Sequence, residues 1–160
     1  MAAEIIRGLN SYFTFRIGTE LMGVNIGNVI KIVGMTGITR VPNTPDYFRG
    51  IINSFGEVLP VFDGALKFGF QKSEITRNTC ILVLVFEFEN QVSSAGIIVD
   101  SVEKVVVFET GQIKPAPQVG KGFNAEFIEG IATIGQEFAI ILNLDKIFSE
   151  EEIKLINPIE

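Results

Sequence analysis

The sequence predicts an all-β protein built from two similar units in tandem, and three observations carry that prediction. Apolar and polar residues alternate with a period of two in several short runs, and glycine or proline stands at nearly every join between them. A stretch of the first half of the chain returns, recognisably, in the second. Many short strands of this kind close into barrels or stack as a sandwich.

The elements follow in order. "YFTFRI" places Phe13, Phe15 and Ile17 on one face and Tyr12, Thr14 and Arg16 on the other, so the second face is expected to look outward. "LMGVNI" and "NVIKIV" continue as strands. "YFRGIINSFGEVLPVFD", Tyr47 to Asp63, reads as strand, tight turn, strand, with Gly56 where a hairpin needs positive φ. "TCILVLVFEFEN", Thr79 to Asn90, is apolar on both faces in its first half, as a strand lying between two packed units would be, and turns Glu87 and Glu89 outward in its second. "FIEGIATIGQEFAIILNLD" repeats the earlier hairpin, with Gly130 in the place of Gly50 and Gly135 as its turn glycine. The acidic "SEEEIKLINPIE" is expected to be a solvated helix end.

The repeat extends beyond the hairpins. Gly23 to Val33 lies on Gly96 to Val106 without a gap at an offset of 73, pairing Gly23 with Gly96, Val29 with Val102 and Lys31 with Lys104. The later glycines match at an offset near 80, which assigns about seven extra residues to the second copy near "TGQIKPAPQVGKG". The predicted division is a first unit over 11–75, a second over 76–148 and a tail over 149–160, with the boundary in Lys67 to Asn78.

Composition excludes several functions. A chain of 160 residues buries about 70% of its unfolded surface, and with 47% hydrophobic residues the surplus belongs in the core or in interfaces. The longest apolar run, Ile81 to Phe86, is far shorter than the ~20 residues of a membrane helix. Thirteen basic and nineteen acidic residues, with no basic cluster, argue against nucleic-acid binding. The N-terminus lacks the pattern of a signal peptide and Cys80 has no partner cysteine, so a reducing cytoplasm is expected.

Without histidine, neither an imidazole triad nor His acid–base chemistry is available. Cys80, inside a strand pattern, reads as a core filler. Asp63, Asp100 and Asp145 could form a carboxylate set, but each follows a strand, where an acid ends the strand or caps the next turn. No phosphate loop, dinucleotide fingerprint or calcium loop is present. The chain reads as a non-enzyme without cofactor or metal.

Several blocks, in order, carry a resemblance: "FTFRIGTELMGVNIGNVIKIV", "ITRVPNTPDYFRGIINSFGEVLPVFD", "KFGF", "AGIIVDSVEKVV", "IKPAP", "FIEGIATI" and "AIILNLDKIF". The most specific is "TRVPNTPDYFRGIIN", whose Pro42, Asn43, Pro45 and Gly50 fit a Pro-Asn-x-Pro-x-x-x-x-Gly pattern. From Ser11 to Phe148 the chain resembles the CheW family of bacterial chemotaxis coupling proteins. The resemblance implies two SH3-like, five-stranded β-barrel subdomains packed over a shared core, with a short C-terminal helix. It also implies a cytoplasmic adaptor, monomeric in isolation and recruited to membrane-anchored receptor arrays in a two-component pathway. Its partners would be the cytoplasmic tip of a methyl-accepting chemoreceptor and the regulatory domain of a CheA-like histidine kinase. By that analogy the receptor groove takes in Ile26, Val29, Ile30, Lys31 and Val33, and the kinase meets the hairpin at Gly50, Asn53, Phe55 and Gly56.

The chain departs from the family pattern at three places. Phe55 stands where the hairpin commonly has arginine, Lys31 where an acid is usual, and "DGA", Asp63 to Ala65, where Asp-Leu-Arg is usual. These changes leave open an adaptor, or a regulatory module, of a different motility or two-component pathway. An enzyme using the three aspartates is the rival from another class, and metal or substrate bound near them would favour it.

Overall fold

The computed structural model describes residues 10–109, 111–116 and 127–156. Ten strands, β1 (Ser11–Ile17), β2 (Glu20–Asn25), β3 (Val29–Gly34), β4 (Phe48–Ser54), β5 (Glu57–Asp63), β6 (Cys80–Phe88), β7 (Gln91–Val99), β8 (Ser101–Val107), β9 (Ile128–Ile134) and β10 (Glu137–Leu142), form two five-stranded sheets. The first is ordered β8-β1-β2-β10-β9 and the second β3-β6-β7-β5-β4. Among the described residues there are two short α-helices, α1 (Gly64–Lys67) and α2 (Glu150–Ile156), so the all-β class and the C-terminal helix are as expected.

The sheets do not follow the predicted division at 75/76. β1 and β2 sit with β8, β9 and β10, while β6 and β7 sit with β3, β4 and β5. The repeat is nevertheless real: replacing β1 to β5 by β6 to β10, and the reverse, turns one strand order into the other. Each copy has sent its first two strands to the other copy's sheet, where the parallel pairs β2–β10 and β5–β7 and the antiparallel pairs β1–β8 and β3–β6 make the joints. The connections enforce this. A single residue, Asp100, separates β7 from β8, too little for the two-residue loop of the tightest hairpins, so β8 leaves the sheet of β7. Between β2 and β3 the 3₁₀ turn Ile26–Asn28, capped by Asn25 Oδ1 accepting from Gly27 N at 2.9 Å, redirects the chain in the same way.

The two glycines that open the repeated hairpins have one steric task. A Cβ on Gly50 would stand 2.1 Å from the Thr39 carbonyl oxygen, and one on Gly130 would stand 2.5 Å from that of Lys114. Each glycine lets a bridge close across the sheet's open side, Thr39 to Ile51 and Lys114 to Ile131. Between these bridges the offset is 75 (114 − 39), against 80 for the hairpins, so five of the extra residues fall after Lys114.

Among the described residues, three apolar clusters form the core. Phe13, Phe15, Met22, Phe62, Leu82, Phe86, Ile97, Leu144 and Phe148 belong to the large one, contributed by both sheets. Tyr12, Leu21, Phe108, Ala139 and Ile141 pack within the first sheet's curve, and Ile52, Val61, Ile81 and Val83 within the second's. β6 is therefore buried on both faces, as its composition predicts. β1 is as well, and here the expectation fails: Tyr12 packs against Phe108, and Thr14 is 1% exposed. A polar residue survives there because Thr14 Oγ1 donates to the Lys104 carbonyl at 2.6 Å and accepts from the Lys104 N–H at 3.1 Å.

The acidic C-terminal helix departs from its solvated reading at Glu152, which is 5% exposed. Ser149 and Glu152 form a reciprocal capping box, Glu152 N to Ser149 Oγ at 3.2 Å and Ser149 N to Glu152 Oε1 at 2.9 Å. That geometry turns the carboxylate inward, where Lys67 Nζ of α1 donates to Oε1 at 3.1 Å and lies 3.0 Å from Oε2. Among the described residues no helix is long and apolar enough to cross a membrane.

Candidate partner-binding surface

β3 lies at one edge of the second sheet, and its exposure alternates: Val29, Lys31 and Val33 are half-buried, Ile30 and Ile32 exposed. Ile26 and Val29 pack against the large shared cluster, whereas Val33 packs within the second sheet's own. Of the five residues expected to line a groove, Ile30 is the one that stands free. Ile32 accompanies it, a residue that the strand's own alternation would have supplied.

The hairpin joining β4 to β5 is closed by the Ser54–Glu57 pair, leaving Phe55 and Gly56 as a two-residue turn. Both have positive φ, 51° and 85°, the signature of a type I′ turn. Asn53 Oδ1 accepts from Gly56 N at 2.8 Å and holds the turn from within the strand. The first central position of such a turn favours Asn, Asp or Gly; here it holds phenylalanine, 95% exposed. Val58, beyond the turn, is 71% exposed. Gly50, by contrast, is buried beneath the Thr39 loop and shapes the strand without reaching the surface.

One side chain connects the strand edge with the turn. Lys31 reaches from β3 to donate from Nζ to Ser54 Oγ at 2.6 Å, and the same ammonium lies 4.4 Å from the centre of the Phe55 ring. The two positions at which the chain departs from the family pattern are thus in contact, as cation and aromatic face. Sequence reading put them in separate sites, because 24 residues and no common element join them. The symmetry of the repeat marks a counterpart in the first sheet: Val58 corresponds to Phe138 at the offset of 80 and Ile32 to Val105 at 73, and both counterparts are exposed.

The three aspartates do not form one set: Asp63 and Asp100 line one small cavity with Arg49, and Asp145 lies outside it. Asp63 caps α1 by accepting from Leu66 N at 3.1 Å and pairs with Arg49 at 3.2 Å. Asp100 accepts from Gly18 N and from Ser73 Oγ, and Asp145 accepts from Glu87 N at 2.9 Å. All three are occupied with backbone and loop geometry, and among the described residues no group of acids, cysteines and histidines has the arrangement of a metal site. Burial pushes the Cys80 thiol up, away from the reactive thiolate.

Comparison with known proteins places this geometry in context. The model of the CheW-like domain matches residues 11–152. The chain is 32% identical to the chemotaxis protein CheW of Klebsiella aerogenes over 92% of its length and 87% of that protein's, and 31% identical to protein FrzA of Myxococcus xanthus over 85% and 83%. Among solved structures, the scaffolding protein TtCheW of Thermoanaerobacter tengcongensis superposes with a TM-score of 0.77 at 32% identity, covering 90% of each chain.

Proposed function

Because the chain belongs to the CheW-like domain family, we propose that it is a non-catalytic chemotaxis scaffold that joins a chemoreceptor tip to the regulatory domain of a CheA-like histidine kinase. It works in the cytoplasm, held at receptor arrays by its partners. The observation that carries this reading is Phe55: a ring 95% exposed, on a left-handed backbone, set over Lys31 of β3, the strand at the opposite edge of the sheet from β4. An aromatic residue in such a position gains nothing from the core, and aromatic anchors dominate the energetics of protein interfaces.

The kinase-facing contact is the Phe55–Gly56 turn with Asn53 and Val58. The receptor helix lies along β3, at Ile30 with the flanks of Val29 and Ile26, in the manner of an apolar helix face docked in a groove. The Lys31 ammonium keeps its charge while Ser54 and the ring hold it, so this end presents an exposed aromatic ring beside a tethered cation. That favours a partner adapted to this chain over one that offers a carboxylate to an arginine.

The reading is tested by titrating the purified protein with the kinase regulatory domain and with the receptor tip from its own cell. Phe55→Ala should weaken kinase binding at least tenfold and leave the receptor tip nearly unaffected, and Ile30→Asp should do the reverse. Unchanged affinity for both partners in both variants would remove the proposal.

A further inference from the structure

A cleft of the second sheet, sharing no residue with the Phe55 turn, gathers cations from three separate segments. Arg40 comes from the β3–β4 connection, Arg49 from β4 and Lys72 from the connection between α1 and β6. Together with Asp46, Phe48 and Leu66 they line a cavity of about 350 Å³. Three of the thirteen basic residues meet here in a chain of net charge −6.

Arg49 is fixed from behind. Its guanidinium donates to Asp63 Oδ2 at 3.2 Å, and Asp63 is itself buried and bound through Oδ1 to the start of α1. That bond uses one of five N–H groups, so donors remain for the cleft. Arg40 and Lys72 are exposed, and among the described residues neither has a carboxylate within 4.0 Å. Asp46 lines the same cavity and pairs with neither. Even with Asp63 set against Arg49, the lining keeps an uncompensated positive charge above an apolar floor of buried Phe48 and half-buried Leu66. Like charges converging on one concavity concentrate anions there.

We propose that this cleft binds a small organic phosphate, its phosphate held by Arg40, Arg49 and Lys72 and its apolar body resting on Phe48 and Leu66. Two guanidinium forks and an ammonium supplied by three chain segments suit an ion with several oxygens, whereas a carboxylate is satisfied by one fork. The volume lies at the lower end of small-molecule sites and exceeds what a bare ion fills, which leaves space for the body.

The test is a titration of the full chain at low salt with phenyl phosphate, inorganic phosphate and benzoate, followed by nuclear magnetic resonance. Phenyl phosphate should shift the signals of Arg40, Arg49 and Lys72 saturably. Inorganic phosphate should bind the same residues more weakly, and benzoate more weakly still. Arg40→Gln with Lys72→Gln, two exposed changes, should reduce phenyl phosphate affinity at least tenfold with the thermal midpoint unchanged, while Lys146→Gln leaves it intact. Benzoate binding as tightly as phenyl phosphate would overturn the phosphate assignment. Shifts spread over the other basic residues, or unaltered in the double variant, would overturn the site.

Discussion

Replacing Phe55 by asparagine should make the protein more stable and a worse binder, and the structure sets the size of both effects. The ring is 95% exposed, so its loss forfeits almost no burial. Its contact with Lys31, at an exposed site, contributes about 0.5–1 kcal/mol. Against that stands the left-handed backbone at φ 51°, which costs an ordinary L-residue about 1–2 kcal/mol and asparagine much less. The balance is a gain of up to about 1 kcal/mol, or roughly 2–4 °C in the melting midpoint for a chain of this size. In a Lys31→Met background, where the cation is already gone, the gain should grow by the coupling of about 0.5–1 kcal/mol. Kinase binding should meanwhile fall at least tenfold, as when an aromatic anchor is lost. Thermal unfolding and a binding titration on the four proteins of the cycle decide it. A loss of more than about 1 kcal/mol with binding intact would mean that the ring serves the fold and that the reasoning is wrong.

Further outcomes follow from the packing. Lys67→Met should cost about 3–5 kcal/mol in chemical unfolding by leaving the buried Glu152 carboxylate unpaired, whereas Lys67→Met with Glu152→Leu should cost far less. Gly130→Ala should destabilise by about 1–3 kcal/mol because its Cβ meets the Lys114 carbonyl, while Gly34→Ala, with open space around it, should be close to neutral. Hydrogen bonds from Arg16 hold the Glu137 carboxyl below its ordinary value. A depressed carboxyl adds stability above its unfolded pKa and loses it as pH falls through the folded one, so Glu137→Gln should flatten the acid limb of a plot of melting midpoint against pH.

What the sequence made legible was local, and what it hid was long-range. Positive φ at Gly56 and Gly135, the doubly buried β6 and the repeat itself all follow from residue type and spacing within short windows. The burial of Thr14 depends on a backbone partner 90 residues away, and that of Glu152 on a lysine 85 residues away, so period and charge alone misplace both. The candidate surface divides in the same way. The hairpin turn was readable from Gly56 and its flanks, but its contact with Lys31 requires the open edge of the second sheet to bring β3 beside the β4–β5 turn. Strand alternation says which face a residue takes and nothing of which strand lies next to it.

The exchange of strands between the copies carries a last prediction, and it bears on whether either copy can fold without the other. If the copies were independent barrels, cutting the chain in the exposed connection near residue 75 would release two folded halves. The observed pairing forbids that outcome. A fragment ending at 75 would carry β1 to β5, of which β1 and β2 have lost β8 and β10, and β3 and β5 have lost β6 and β7. Both fragments would also expose half of the cluster in which Phe62 and Phe86 each meet Phe148, at 4.9 and 4.8 Å. Each half alone should therefore lack cooperative unfolding, while the two mixed should regain the near-ultraviolet dichroism of the intact chain and elute as one species. Cutting one chain into two makes assembly bimolecular and adds the translational and rotational cost of association, which the four inter-fragment strand pairings and the shared core must outweigh for the pair to persist at micromolar concentration. A first fragment that melts cooperatively on its own would show that strand exchange is dispensable.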